Sequence, residues 1–193
     1  MGERRGDTCR QSTSCRIGAP FTTRQGPHTV LNVTLPEVIT AALPRSPDYS
    51  GEFTAHVRAL AKRLEGELNV LISHDSNMAY RAGQYVSFEA SLRPAKGSVE
   101  ARIYLSSKAP LFACYVMDKG GTLLAPEKAS HPVPESLLPA RVIGQLKICT
   151  ERLSQEGYTE VGRSLFDMQA PNCTTELDDL PATVFQCLFA EVI

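Results

Sequence analysis

The sequence predicts an α+β fold: an antiparallel sheet of three to five strands with helices packed mainly on one face. Two observations carry this expectation. Apolar residues recur at steps of three and four over 52–68 and 138–153, the spacing of an amphipathic helix. Over 86–92 and 99–105 they recur at every second position, as in strands with one buried side. Helices at both ends and a run of strands between them suit a sheet covered by helices.

Thr34 stands three residues before Glu37, with Pro36 in the first turn, so a capping-box helix is expected to begin there. Pro44 and Pro47 end it near Leu43. The second helix, 52–68, turns Phe53, Val57, Leu60, Ala61, Leu64 and Leu68 inward and Glu52, Arg58, Lys62, Arg63 and Glu65 outward. Val70–Ser73 adds a short strand. Val86, Phe88, Ala90 and Leu92 then alternate with Ser87, Glu89 and Ser91, and Val99, Ala101, Ile103 and Leu105 with Glu100, Arg102 and Tyr104. With Pro94 and Gly97 in the connection, these runs read as an antiparallel hairpin with one wet face. Leu111–Met117 is apolar throughout, which suits a strand buried on both sides.

Lys119-Gly120-Gly121 turns into a short strand over Thr122–Ala125. A proline-marked connection then leads to the longest helix, with Leu138, Val142, Leu146, Cys149 and Leu153 on its apolar side and Gly157 at its C-terminal end. A short strand over Val161–Met168 follows. The last helix is expected from Pro181, because Val184, Phe185, Leu188, Phe189 and Val192 share one half of a helical wheel.

The 193 residues carry 20 Lys plus Arg against 21 Asp plus Glu, a net charge of -1, so no overall field favours nucleic acid or anionic lipid. Within that balance Arg4, Arg5, Arg10, Arg16 and Arg24 face only Glu3 and Asp7. Residues 1–28 are therefore expected to be a disordered basic leader, and 29–193 a single, mildly acidic α+β domain. The longest uncharged apolar run, Ala109–Met117, is far shorter than the roughly 20 residues of a membrane span. Neither a nucleic-acid nor a membrane partner is expected. Cys9, Cys15, Cys114, Cys149, Cys173 and Cys187 include no Cys-x-x-Cys pair, which argues against a zinc cluster and for reduced thiols in the cytoplasm.

No glycine-rich phosphate loop, His-Glu-x-x-His or Gly-x-Ser-x-Gly pattern occurs. No catalytic residue, metal or cofactor is assigned. The most polar constellation is Ser73-His74-Asp75-Ser76-Asn77, followed by Tyr80 and Arg81. Neighbours in sequence seldom aim three side chains at one point, as a catalytic triad requires, so this is read as a polar loop with local Asx turns. Glu52 and His56, four apart on a helix, form a surface pair. Cys114, embedded in an apolar strand, is expected to be a buried, unreactive thiol. Glu176, Asp178 and Asp179 precede the last helix, where carboxylates suit its N-terminal dipole; the same cluster offers an acidic patch to a basic protein partner.

The order of a helix, a three-stranded antiparallel run and a further helix resembles the layout of bacterial secretion chaperones, and small toxin-neutralising immunity proteins use comparable arrangements. The resemblance implies a cytosolic, non-catalytic protein that binds and occludes a protein partner. It rests on element order and carries over no residues. The binding surfaces expected here are His74, Asp75, Asn77, Tyr80 and Arg81 in the first loop and Glu176, Asp178 and Asp179 in the acidic cluster. The alternative is an enzyme or small-ligand domain with its pocket between sheet and helices, for which His74, Asp75, His131 and Cys114 are the first candidates.

Overall fold

The two long amphipathic segments are helices, and the alternating segments between them are paired strands. Residues 34–79, 81–92, 97–121, 123–124 and 131–191 are described by the computed structural model, within a unit that runs from Leu35 to Ile193. The basic segment 1–28, Tyr80, most of the hairpin connection (93–96) and Thr122 and Ala125 lie outside the described residues. In chain order the elements are α1 (Glu37–Ala42), α2 (Gly51–Leu68), β1 (Ser73–Asp75), β2 (Gly83–Ser91), β3 (Ser98–Ser106) and β4 (Leu111–Asp118). They are followed by α3 (Ala140–Gln155), β5 (Thr159–Glu160), β6 (Gln169–Thr174), β7 (Pro181–Thr183) and α4 (Val184–Leu188).

The sheet has five strands in the order β1-β2-β3-β4-β5, and β6 and β7 form a separate two-stranded sheet. The first four strands are antiparallel in succession. β5 departs from the expected pattern by pairing parallel to β4, because the α3 crossover returns the chain to the same end of the sheet. α2 begins on a Ser50 cap and ends on Asn69 in the left-handed conformation, both favourable termini.

One face of the sheet presents Val86, Phe88, Val99, Ile103, Leu105 and Phe112 to Val57, Leu60 and Leu64 of α2 and Val142, Cys149 and Leu153 of α3. Arg63–Glu156 at 2.9 Å and Arg152–Glu67 at 2.5 Å join these two helices along their outer sides, where each such pair is worth at most about 1 kcal/mol. The other face is covered too, over the β3–β4 half. There Tyr104, Leu111, Ala113 and Tyr115 pack with Ile39 and Ala42 of α1 and Val184, Phe185 and Leu188 of α4. Tyr104 is fully buried and meets Phe185 edge-on at 5.1 Å between ring centroids.

Several expectations are corrected. The wet face of the hairpin is dry at Tyr104, because α1 and α4 supply the apolar partners that alternation alone does not reveal. The N-cap of α1 is Pro36 without a side-chain bond, so the capping box at Thr34 does not form. The strand expected at Val70–Ser73 is instead Ser73–Asp75. Leu123 and Leu124 form bends whose N–H groups donate to the Asp118 carboxylate at 2.6 and 2.9 Å. Val161–Met168 is a linker with a short 3-10 turn, flanked by β5 and β6. The last helix begins at Val184, not Pro181: Thr183 and Gln186 form a reciprocal capping box, and Pro181–Thr183 is strand.

Gly83 opens β2 where it passes closest to β3, and a Cβ added there would lie 2.3 Å from the Leu105 carbonyl oxygen. The obstacle is backbone within a ladder, so it cannot rotate away. Gly83→Ala is expected to lower stability by about 1–3 kcal/mol, read as a fall in the denaturant midpoint. An unchanged midpoint would show that the two strands tolerate a wider spacing.

Candidate functional site

The first expected surface begins on β1, and strand geometry divides its central pair. His74 pairs with Val86, whereas Asp75 pairs with Tyr85, so their side chains point to opposite faces of the sheet. On the α2 side, His74 Nε2 lies 2.8 Å from Gln84 Oε1, and the Gln84 amide donates to Thr54 Oγ1 at 2.7 Å. On the other side, Arg81 donates to Asp75 Oδ2 at 2.7 Å. Asp75 Oδ1 accepts from the Asn77 N–H, and Asn77 Oδ1 from the Ala79 N–H, the Asx turns expected for this segment. Leu71, 81% exposed, shares a groove of about 400 Å³ with Ser73, His74, Asp75, Tyr85 and Glu100.

Beside Asp75 the β2–β3 part of this face carries a network of charges and rings. The Arg102 guanidinium donates to Glu100 at 3.1 Å and lies 4.8 Å from the Tyr85 ring centroid. Lys119 reaches Glu100 at 3.3 Å, and Arg81 stands 5.4 Å from the same tyrosine ring. Burial by itself raises the Glu100 carboxyl, but the bonds and charges of Arg102 and Lys119 outweigh it and hold it below the usual carboxylate range. Asp75 is held low in the same way, with Arg81 and the Asn77 N–H overcoming burial. Each of the two carboxylates is answered by a neighbouring cation, so the network reads as structural.

The four candidate catalytic residues do not converge. His74, Val86, Ile103 and Cys114 occupy one row across β1 to β4, which puts His74 three strand spacings, roughly 14 Å, from Cys114. His131 lines a separate cavity with Tyr115, Phe166 and Phe185, on the face opposite Cys114. His56, expected beside Glu52, instead stacks on Tyr158, with Nε2 3.0 Å from the phenol oxygen.

Cys114 does open into a groove of about 490 Å³ between β4 and α3, floored by Val116, Val133, Leu138, Ile143 and Leu146 and rimmed by Glu135, Lys147, Thr150, Glu151, Glu160 and Arg163. Burial, reinforced by the Glu160 charge, pushes its thiol far above the ordinary range, so it is a poor nucleophile. The groove has the size and apolar floor of a small-ligand site without an assembled base and nucleophile. No family model, curated protein or solved structure matches this chain. The site is therefore read from its geometry.

The second expected surface is a turn joining β6 to β7, a correction to the helix-capping role expected for its carboxylates. The Thr175 N–H donates to the Leu180 carbonyl at 2.9 Å. The Thr175 hydroxyl donates to Asp178 and accepts from the Leu180 N–H. Asp178 is thus occupied in shaping the turn, while Asp179 adopts a left-handed φ of 56°, which aspartate tolerates better than most residues. The consecutive N–H groups of Glu176 and Leu177 donate to the two carboxylate oxygens of Glu191.

Around this fixed backbone, Tyr49, Leu177 and Leu180 are 58%, 56% and 58% exposed. Tyr49 comes from the loop before α2; slight burial and then the nearby Glu176 and Glu191 charges raise its phenol. Sequence reasoning identified the carboxylates but missed Leu177 and Leu180, interleaved with them in the same turn, and Tyr49, which comes from a separate segment.

Two outcomes follow from these bonds. A carboxyl whose pKa is lowered by folding contributes stability that is complete above its unfolded value and lost as pH falls through the folded one. Glu100→Gln should therefore lower stability near neutral pH by on the order of 1–3 kcal/mol, read as a fall in melting temperature, and flatten the acid loss of stability that sets in below its unfolded value of about 4.5. Parallel acid profiles for the two proteins would contradict this role. Glu191→Ala should speed hydrogen exchange at the Glu176 and Leu177 amides by about tenfold or more; unchanged protection would mean that the turn holds itself.

Proposed function

We propose that this protein is a non-catalytic, cytoplasmic protein-binding module that engages a basic partner through the β6–β7 turn. The observation that carries this reading is the exposure of Tyr49, Leu177 and Leu180 beside Glu176 and Asp179 on a backbone fixed by Thr175, Asp178 and Glu191. Apolar side chains clustered at a surface and rimmed by charge are characteristic of recognition sites, and tyrosine is among the residues that most often dominate binding energy. An ordered turn reduces the conformational entropy lost on docking. The acidic rim favours lysine- and arginine-bearing surfaces and chiefly accelerates their encounter. The His74–Arg81 loop, with Leu71 exposed beside it, is a second proposed contact surface.

The β4–α3 groove supports a second reading, a site for a small apolar ligand. Filling it by Leu146→Trp would abolish binding of an apolar fluorescent probe there without disturbing the acidic turn.

The test is recovery of a partner from native cells by wild type and by two variants, followed by measured affinity. Tyr49→Ala with Leu180→Ala should weaken binding by at least about tenfold. Glu176→Gln with Asp179→Asn should slow association and reduce its salt dependence. Equal affinity and equal salt dependence for all three proteins would remove the turn from the reading.

A further inference from the structure

The groove between β4 and α3 is bounded along the sheet edge by two crossing segments. The Val161 N–H donates to the Phe112 carbonyl at 2.8 Å, and the Val133 N–H donates to the Val116 carbonyl at 2.8 Å. Cys114 lies midway between these bonds and lines the groove, so the opening along β4 is roughly 13 Å long. Arg163 ties the two segments together, its guanidinium donating to the Val133 carbonyl at 2.7 Å and to the Pro132 carbonyl. A slot of about 490 Å³ bounded in this way suits a single small molecule better than an extended peptide.

The slot is apolar at Val116, Leu138, Ile143 and Leu146, but its rim is unevenly charged. Lys147 pairs with Glu151 at 3.8 Å, and Arg163 has its donors on backbone carbonyls. The other two charged residues of the rim are carboxylates. Glu135 lies in a 3-10 turn before α3. Glu160 is in β5 and pairs with Phe112, so its side chain points to the α3 side of the sheet as that of Cys114 does. Both are exposed, and among the described residues neither belongs to an ion pair. Partial burial and then the Glu135 charge raise the Glu160 carboxyl, as expected of like charges with no cation between them.

We infer that the groove binds an amphipathic amine, its apolar chain in the slot and its ammonium at the Glu135 and Glu160 carboxylates. The inference rests on the reading of this groove as a ligand site and adds the charge of the ligand. An ammonium has three N–H donors and no acceptor, which suits carboxylates that lack a cation. A fatty acid would bury the same apolar surface but bring a further negative charge to them, while the rim's cations are already engaged.

The test uses the full chain with an apolar fluorescent probe, displaced near neutral pH by decylammonium, decanol or decanoate below their micelle concentrations. The three share one chain and differ in the charge of the head group. Decylammonium should displace the probe at a concentration at least about tenfold lower than decanoate, with decanol between them. Glu135→Gln with Glu160→Gln, both at exposed positions, should remove that order while the probe itself still binds. Equal displacement by the three, or strongest displacement by decanoate, would overturn the inference and leave the groove a ligand site. An order that survives in the double variant would overturn the assignment to these carboxylates. Probe binding that is absent, or that Leu146→Trp leaves unchanged, would remove the groove reading and the inference with it.

Discussion

The run Leu111–Val116 is the constraint on which the rest of the molecule depends. A strand alternates its side chains between two faces, so a strand apolar at every position needs cover on both. Phe112 and Val116 enter the core under α2 and α3, and Leu111, Ala113 and Tyr115 enter the core under α1 and α4. Two layers are needed around β4, whereas β2 demands only one. Its second face, away from β4, is left to Tyr85, Ser87 and Glu89, and beside it Glu100, Arg102 and Lys119 complete the polar network. The positions of the aromatic core and of the charged half-face therefore have a common origin in β4.

This division also limits the chemistry available. The titratable groups that looked promising by type are separated by the sheet itself: His74 and Asp75 lie on its opposite sides, and Cys114 shares a row with His74 only at a distance. What remains at the surface is a turn with a rigid backbone and a mixed apolar and acidic exterior. In the binding proposed above, such a surface would act through complementary shape and charge rather than through a reacting atom.

Legibility in the sequence followed the strength of local periodicity. α2, α3 and β2 to β4 were readable because each is long enough to repeat its period several times. β1 and β5 have three and two residues, too few to show a period, and exist because a neighbouring strand offers a partner. Tyr104 was assigned to a wet face because its hydroxyl counts as polar, yet its ring is at the centre of an aromatic cluster with Phe185 and Phe189. The acidic residues were visible as a cluster, but a helix cap and a strand-to-strand turn use the same residue types. Tyr49 left no pattern, since it comes from a segment that meets the turn only after folding.

β1 is also short for the strand it protects. Its three residues pair with Tyr85–Ser87, so Phe88–Ser91 of β2 have no ladder partner on their outer side among the described residues. Open backbone of this kind is a template on which another extended chain can lie. Glu89, outward-facing and exposed, places a charge in the middle of that stretch. The brevity of β1 thus makes one glutamate the gatekeeper against edge-to-edge self-assembly.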